Sequence, residues 1–261
     1  MRPGPDTRAL ITGASKGIGL ALAAELRRRG ATVGMVARGE EQLRSRAAEL
    51  DAIPLPADIA DADAIAAAVE EFVRQAGGLD LVVANAGVAR YAPFADQPLG
   101  DVEQMVEVNV LGTIYTVKAA LTHLLDQGRG HVVVVSSGAG LRAFPGAAVY
   151  GATKAADRGF AEALRHELSG TGVSVTAVFP GEIATDLHTG RRADLPDWRK
   201  SDDELPVEDA SAAILAGIEG DARAVYVPRE VRLLGLNGIA PRAVDRLLAA
   251  LRGGSAAPRR D

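Results

Sequence analysis

The 261-residue sequence has no cysteine, which removes disulfide scaffolds, thiolate zinc sites, iron–sulfur clusters and cysteine nucleophiles together. Lysine is almost as scarce. There are four (Lys16, Lys118, Lys154 and Lys200) against 25 arginines, so the place of each lysine is informative. The four histidines, His123, His131, His166 and His188, share no metal-ligand spacing, and no catalytic metal is expected. No apolar run approaches the roughly 18–20 residues needed to span a bilayer, so membrane contact is not expected. The opening MRPGPDTR holds an acid and two prolines, and the apolar stretch after it runs into TGASKG without a signal-peptide h-region; the expected location is cytoplasmic. An excess of basic charge is also missing. At a net charge of −5 the chain lacks the basic field with which nucleic-acid binders release counterions. No nucleic-acid partner is expected, and any phosphate has to be handled locally.

What is present is a globular composition, 48% apolar and 24% charged, which excludes disordered and collagen-like classes. Short apolar runs at 9–11, 32–37, 52–55, 79–84, 131–136, 173–179 and 224–227 predict about seven strands. Helical stretches are predicted between them at 18–29, 40–50, 61–75, 99–125, 149–168 and 207–218, several closed by glycine, as at Gly30, Gly77 and Gly170. This rhythm predicts an α/β fold, a doubly wound parallel sheet with helices on both faces. It shows no internal boundary, so residues 1–252 are expected to form a single domain. The polar, proline-bearing segment 182–206 reads as a long loop or lid, and 253–261 as a disordered tail.

The first strand runs through Thr12-Gly13-Ala14-Ser15-Lys16-Gly17-Ile18-Gly19 directly into a helix. Strand, glycine turn and helix is the context a dinucleotide needs. Gly13 and Gly17 let backbone approach a pyrophosphate, Gly19 lets helix and strand pack closely, and the helix start offers unpaired N–H groups. Tyr150 and Lys154 stand four apart at the start of a predicted helix, on one face. A phenol with a reference pKa of about 10 needs roughly 4 kcal/mol to come down three units. An ammonium about 4 Å away at an effective dielectric of 20 supplies about that much.

In these residues the chain resembles the short-chain dehydrogenases/reductases, whose cofactor turn is TGxxxGxG and whose catalytic pair is YxxxK. Collinear matches follow the turn: Asp58, Asn85-Ala86-Gly87, Asn109, Ser137, Tyr150 with Lys154, and Pro180-Gly181 with Thr185. The resemblance covers nearly the whole chain, from about Arg8 to about Val227. It implies a Rossmann-like sheet and hydride transfer between a nicotinamide and a carbonyl or alcohol. It makes Tyr150 the proton donor to the carbonyl oxygen, and Lys154 a second partner of the nicotinamide ribose. Ser137 then bonds the substrate oxygen, with Ser136 as the alternative that merely satisfies turn backbone. Asn109, in a helix where asparagine is a poor former, holds a relay water to Lys154, or is simply a satisfied buried amide.

The remaining cofactor contacts implied by the resemblance come from Gly13, Ser15, Lys16, Gly17, Ile18, Gly19, Arg38, Asp58, Ile59, Asn85, Ala86, Gly87, Pro180, Gly181, Ile183 and Thr185. Asp58 takes the adenine amine and Thr185 the carboxamide. At the end of the second strand the acidic position that would repel a 2′-phosphate is held by Ala37, and Arg38 follows it. Together with Lys16 this predicts NADP(H) over NAD(H).

The substrate pocket is expected from 90–94, 139–144 and the lid, where Leu141, Phe144, Leu187, Leu195 and Trp198 suggest an apolar ketone or aldehyde. The alternatives are a 3-oxoacyl thioester reductase, with Arg129 and Arg158 facing an acidic carrier, and a catalytically silent dinucleotide-binding regulator. A helix is expected near 231–252, its stripe Val244, Leu247, Leu248, Leu251 packing on the fold or a twin subunit, covering the pocket, or docking on a membrane surface. Family members pair through the two long helices, so a homodimer or homotetramer is expected.

Overall fold

The computed structural model describes residues 1–184, 204–242, 244 and 246. Seven strands, β1 (Arg8–Thr12), β2 (Thr32–Ala37), β3 (Ile53–Pro56), β4 (Leu81–Ala84), β5 (Gly130–Val135), β6 (Val173–Pro180) and β7 (Ala224–Val227), form one parallel sheet in the order β3-β2-β1-β4-β5-β6-β7. The helices among the described residues are α1 (Gly17–Arg28), α2 (Glu40–Leu50), α3 (Ala62–Ala76), α4 (Leu99–Val106), α5 (Gly112–Asp126), α6 (Ala148–Glu167) and α7 (Val207–Glu219). The fold is the Rossmann-like α/β sheet predicted from the strand–helix rhythm.

The valine-rich strands are buried on both faces because helices cover both. Along β5, Val132 and Val134 join a core with Phe72 of α3, Leu124 of α5 and Leu164 of α6. The alternate Val133 and Val135 join a second core with Leu22 of α1, Leu43 of α2 and Ile214 of α7. A two-residue side-chain period thus feeds two cores at once. Local signals set the helix ends. Asp61 caps α3 by accepting from the N–H groups of Asp63 and Ala64 at 3.0 and 3.1 Å. Gly77 ends it at φ +74°, its N–H on the carbonyl of Val73.

The chain builds outward from β1 to β3, then crosses back to place β4 on the other side of β1. At that reversal the carboxyl ends of β1 and β4 open a crevice, the position where open α/β sheets bind ligands. At the opposite end of the same strands, Arg8 grips Asp80 through two bonds of 2.7 and 2.8 Å.

Two expectations need correction. The stretch 99–125 is not a uniform α-helix: α4 passes into α5 through a π turn at Glu107–Leu111. The wider turn brings Asn109 inward, where its amide bonds the backbone of Val88. The segment after β7 does not begin as an α-helix either, but as 3-10 turns over Arg229–Gly238. Gly235 and Gly238 disfavour an α-helix there, and Val231 and Leu234 are held against the core of the α3, α5 and α6 face. Leu247, Leu248 and Leu251 lie outside the described residues, as do Leu187, Leu195 and Trp198 of the expected lid.

Candidate active site

The glycine turn is built by backbone meeting backbone. Gly13 and Gly17 take left-handed conformations, φ +66° and +57°. A Cβ on Gly19 would lie 2.5 Å from the carbonyl oxygen of Gly13, and one on Gly13 2.8 Å from the Cα of Ala86. Asn85 staples this contact: its Nδ2 donates to the carbonyls of Thr12 (2.9 Å) and Gly13 (3.3 Å). The Thr12 hydroxyl in turn accepts from the N–H groups of Asn85 and Ala86 at 3.1 and 3.2 Å. Asn85 therefore joins the β1 and β4 ends of the crevice. The start of α1 has no side-chain cap and no acid in its first turn, and the exposed Lys16 stands at its N-cap. An uncapped helix start with a lysine beside it fits a pyrophosphate.

From Asn85 the chain continues through Gly87 to the catalytic candidates. A Cβ on Gly87 would lie 3.3 Å from Asn109 Oδ1 and 3.5 Å from Lys154 Nζ, so the missing side chain lets segment 85–88 run beside the lysine. Asn109 is fully buried. Its Oδ1 accepts from Val88 N–H at 2.8 Å, and its Nδ2 donates to the Val88 carbonyl (2.9 Å) and the Thr153 hydroxyl (3.0 Å). Both amide donors are thus engaged by protein, and Asn109 ties the π turn, segment 85–88 and α6 together.

On α6, residues 150, 154, 157, 161 and 164 form the buried stripe, so Tyr150 and Lys154 face the core. The ring of Tyr150 meets Tyr91 edge-on, with centroids 5.8 Å apart. It shares a small apolar cluster with Ala89 and Met105, against which Val88, Ala139 and Val149 pack. Lys154 Nζ donates to the Val135 carbonyl at 3.0 Å and to Asp157 Oδ2 at 2.8 Å, with both side chains buried. Burial opposes the lysine's charge, but the Asp157 carboxylate, and after it the Tyr150 oxygen, outweigh that and hold the ammonium above the ordinary lysine range. Burial also raises the Asp157 carboxyl, against the pull of Lys154 and, more weakly, of the Thr113 hydroxyl.

The two serines after β5 separate cleanly. Ser136 is buried and donates to the Lys154 carbonyl at 2.7 Å, which locks α6 to the sheet. Ser137 is half-buried, and its Oγ accepts from Ala139 N–H at 3.1 Å, which among the described residues leaves its own proton to donate toward a ligand. At the far side of the crevice Arg38 and Asp58 form a loose pair at 3.6 Å, both substantially exposed. Ile59 is buried beneath the start of α5. Gly181 donates to the Val227 carbonyl at 2.7 Å, and Ile183 is buried and pairs with Leu205, so the chain on either side of residues 185–203 is joined. Val231 and Leu234 approach Gly138 from the chain beyond β7. Thr185 lies outside the described residues.

Sequence reasoning missed Asp157 and Thr153. Position gave the signal for Asp157: a carboxylate three residues after Lys154 falls on the buried stripe of α6. Among the described residues no group of three or more potential ligands could hold a metal, and no helix is long and apolar enough to cross a membrane.

A family model described as short chain dehydrogenase matches residues 7–196. An uncharacterized oxidoreductase of Myxococcus xanthus (strain DK1622) is 40% identical over 193 residues, covering 72% of this chain and 76% of the relative. A solved short chain dehydrogenase from Burkholderia cenocepacia J2315 in complex with NADP is 31% identical, with TM-score 0.77 over 87% of this chain and 97% of that one. A 3-ketoacyl-(acyl-carrier-protein) reductase from Brucella melitensis complexed with NADH is 27% identical, with TM-score 0.78 over 85% of this chain and 96% of that one.

Proposed function

Given that the chain belongs to the short-chain dehydrogenase/reductase family and is an oxidoreductase, we propose that it interconverts a small, apolar ketone or aldehyde and its alcohol with NADP(H), as a cytoplasmic homodimer or homotetramer. The observation that carries this reading is the continuity of the site. The uncapped turn at Gly13, the Asn85–Gly87 segment, Lys154 and Tyr150 adjoin one another at the carboxyl ends of the central strands. The bound nicotinamide supplies or accepts the hydride. Tyr150 gives its proton to the carbonyl oxygen, and Ser137 donates a second hydrogen bond to the same atom, stabilising the charge that develops there. Lys154 carries the positive charge beside Tyr150 and holds the nicotinamide ribose. Asn109 keeps one lone pair on Oδ1 for a relay water between Lys154 and solvent.

NADP(H) is supported by Ala37, which places no carboxylate at the end of β2, and by the exposed Arg38 and Lys16. The exposed pair of Arg38 with Asp58 is weak enough to exchange for a 2′-phosphate. The apolar cluster around Tyr91 and Tyr150 supports an apolar substrate. A 3-oxoacyl thioester is the second reading, favoured by the likeness to the Brucella reductase. Arg129 does not serve it as a carrier contact, since it pairs with Asp80 at the opposite end of the sheet. The presence of Ser137, Tyr150 and Lys154 together weighs against a silent regulator.

The test follows NADPH and NADH absorbance with purified protein against ketones, aldehydes and acyl thioesters. We expect turnover with NADPH on an apolar carbonyl, and a loss of about 10²- to 10⁴-fold in Tyr150→Phe. Full activity in that variant would overturn the acid–base assignment.

A further inference from the structure

Lys154 does not act as a solitary cation. It has three N–H donors, and the fold engages two of them inside the protein, on the Val135 carbonyl at 3.0 Å and on Asp157 Oδ2 at 2.8 Å. Asp157 lies one turn beyond the lysine on the same stripe of α6, with 1% of its side chain exposed. The Thr113 hydroxyl on α5 favours the charged form of the same carboxylate. A buried carboxylate is costly unless it is paired, and here Lys154 pairs with it at 2.8 Å. Among the described residues the titratable groups at this point are Tyr150, Lys154 and Asp157 on α6 and Tyr91, whose ring meets Tyr150 edge-on. Apart from Tyr91, the neighbouring elements present groups that do not titrate: the Val135 carbonyl of β5, Thr113 of α5, the amide of Asn109 on the π turn, and Gly87.

We propose that Asp157 is a positioning residue for the reaction, the buried counter-ion that fixes the Lys154 ammonium and sets how strongly its charge acts on Tyr150. This rests on the reading of Tyr150 and Lys154 as the catalytic pair. Two consequences follow from charge and geometry. With two donors engaged, the ammonium has a single N–H left for the ribose and Tyr150 side, so its direction is fixed before a cofactor arrives. With a carboxylate at 2.8 Å, Tyr150 feels an ion pair rather than a bare cation, and an ion pair lowers a phenol's pKa less. Asp157 thereby weakens the field of the cation at the Tyr150 oxygen, which suits a proton donor in carbonyl reduction.

The test is the pH profile of kcat/KM in both directions for wild type, Asp157→Asn, Asp157→Ser and Asp157→Glu. Asparagine keeps an acceptor for Lys154 while removing the charge; serine does the same with a smaller side chain should asparagine fail to fold. In the neutral variants we expect the apparent pKa of the Tyr150-dependent step to fall by about one unit or more. Alcohol oxidation then gains at lower pH, and carbonyl reduction loses its alkaline limb earlier. Asp157→Glu, whatever its rate, is expected to keep the wild-type pKa. An ultraviolet difference titration against Tyr150→Phe reads the same ionisation without substrate. Neutral variants that lose activity evenly at every pH, with no shift in either measurement, would overturn the inference and leave Asp157 a structural residue. Full activity in Tyr150→Phe would instead remove the catalytic pair on which the inference stands.

Discussion

His131, in the core at the start of β5, sets an acid limit on this fold, and His131→Gln should lift it. The hydroxyl of Thr176 donates to the Ala222 carbonyl at 2.7 Å, so at 2.8 Å it is left to accept from Nε2 of His131. The ring is then the Nε2–H tautomer. Its Nδ1 is buried and has no hydrogen-bond partner among the described residues. Protonating Nδ1 would leave a charge without an acceptor. Burial, helped by the N-terminal ammonium and Arg165 and opposed by Asp221, lowers the imidazole from 6.5 to about 4. A lowered folded pKa means that the unfolded chain binds the proton first, so stability falls as pH drops through this window. Linkage gives a loss of about 2 kcal/mol by pH 5 and about 3 kcal/mol by pH 4. Glutamine keeps a donor for Thr176 and does not titrate. Urea unfolding of both proteins between pH 7 and 4 isolates the effect as a difference. Glu25, held down to about 2 by Arg28 and Arg29, acts at lower pH, and Asp157, raised by burial, acts with the opposite sign. Both are present in each protein and cancel. Whatever the cost of the substitution at pH 7, the gap should move in favour of the variant by about 2 kcal/mol at pH 5. Parallel stability curves would refute the neutral imidazole with its unpartnered Nδ1.

Two further outcomes test the cofactor cradle. Gly19→Ala should weaken NADPH binding at least about tenfold while circular dichroism stays native, because its methyl meets the Gly13 backbone at 2.5 Å and the turn must move; an unchanged Kd in a fluorescence titration argues against the cradle. Arg38→Asp should cost NADPH about 10- to 100-fold in kcat/KM, the worth of a charge-assisted bond, and raise the relative use of NADH. If the NADPH preference survives, Arg38 does not meet the 2′-phosphate.

Local chemistry was enough to read much of this protein from its sequence. Valine runs alternating with amphipathic helices specify a parallel sheet covered on both faces, since no other arrangement buries both. A glycine turn between strand and helix, and a tyrosine and lysine one helical turn apart, likewise carry their meaning in spacing. Helix ends at Asp61 and Gly77 were legible for the same reason, because caps and left-handed turns are decided within a few residues. What spacing could not supply was partnership across elements. The inward turn at Asn109 answers to the backbone of Val88, 21 residues away. Ser136 and Ser137 differ in that one is buried and donates to the Lys154 carbonyl while the other is half-buried and accepts from Ala139 N–H. The 3-10 turns after β7 follow from packing on the α3, α5 and α6 core. The scarcity of lysine made Lys154 conspicuous, and its spacing from Tyr150 suggested a lone cation. Only the packing of α6 against β5 and α5, which buries Asp157 and excludes water, decided that the lysine is half of an ion pair.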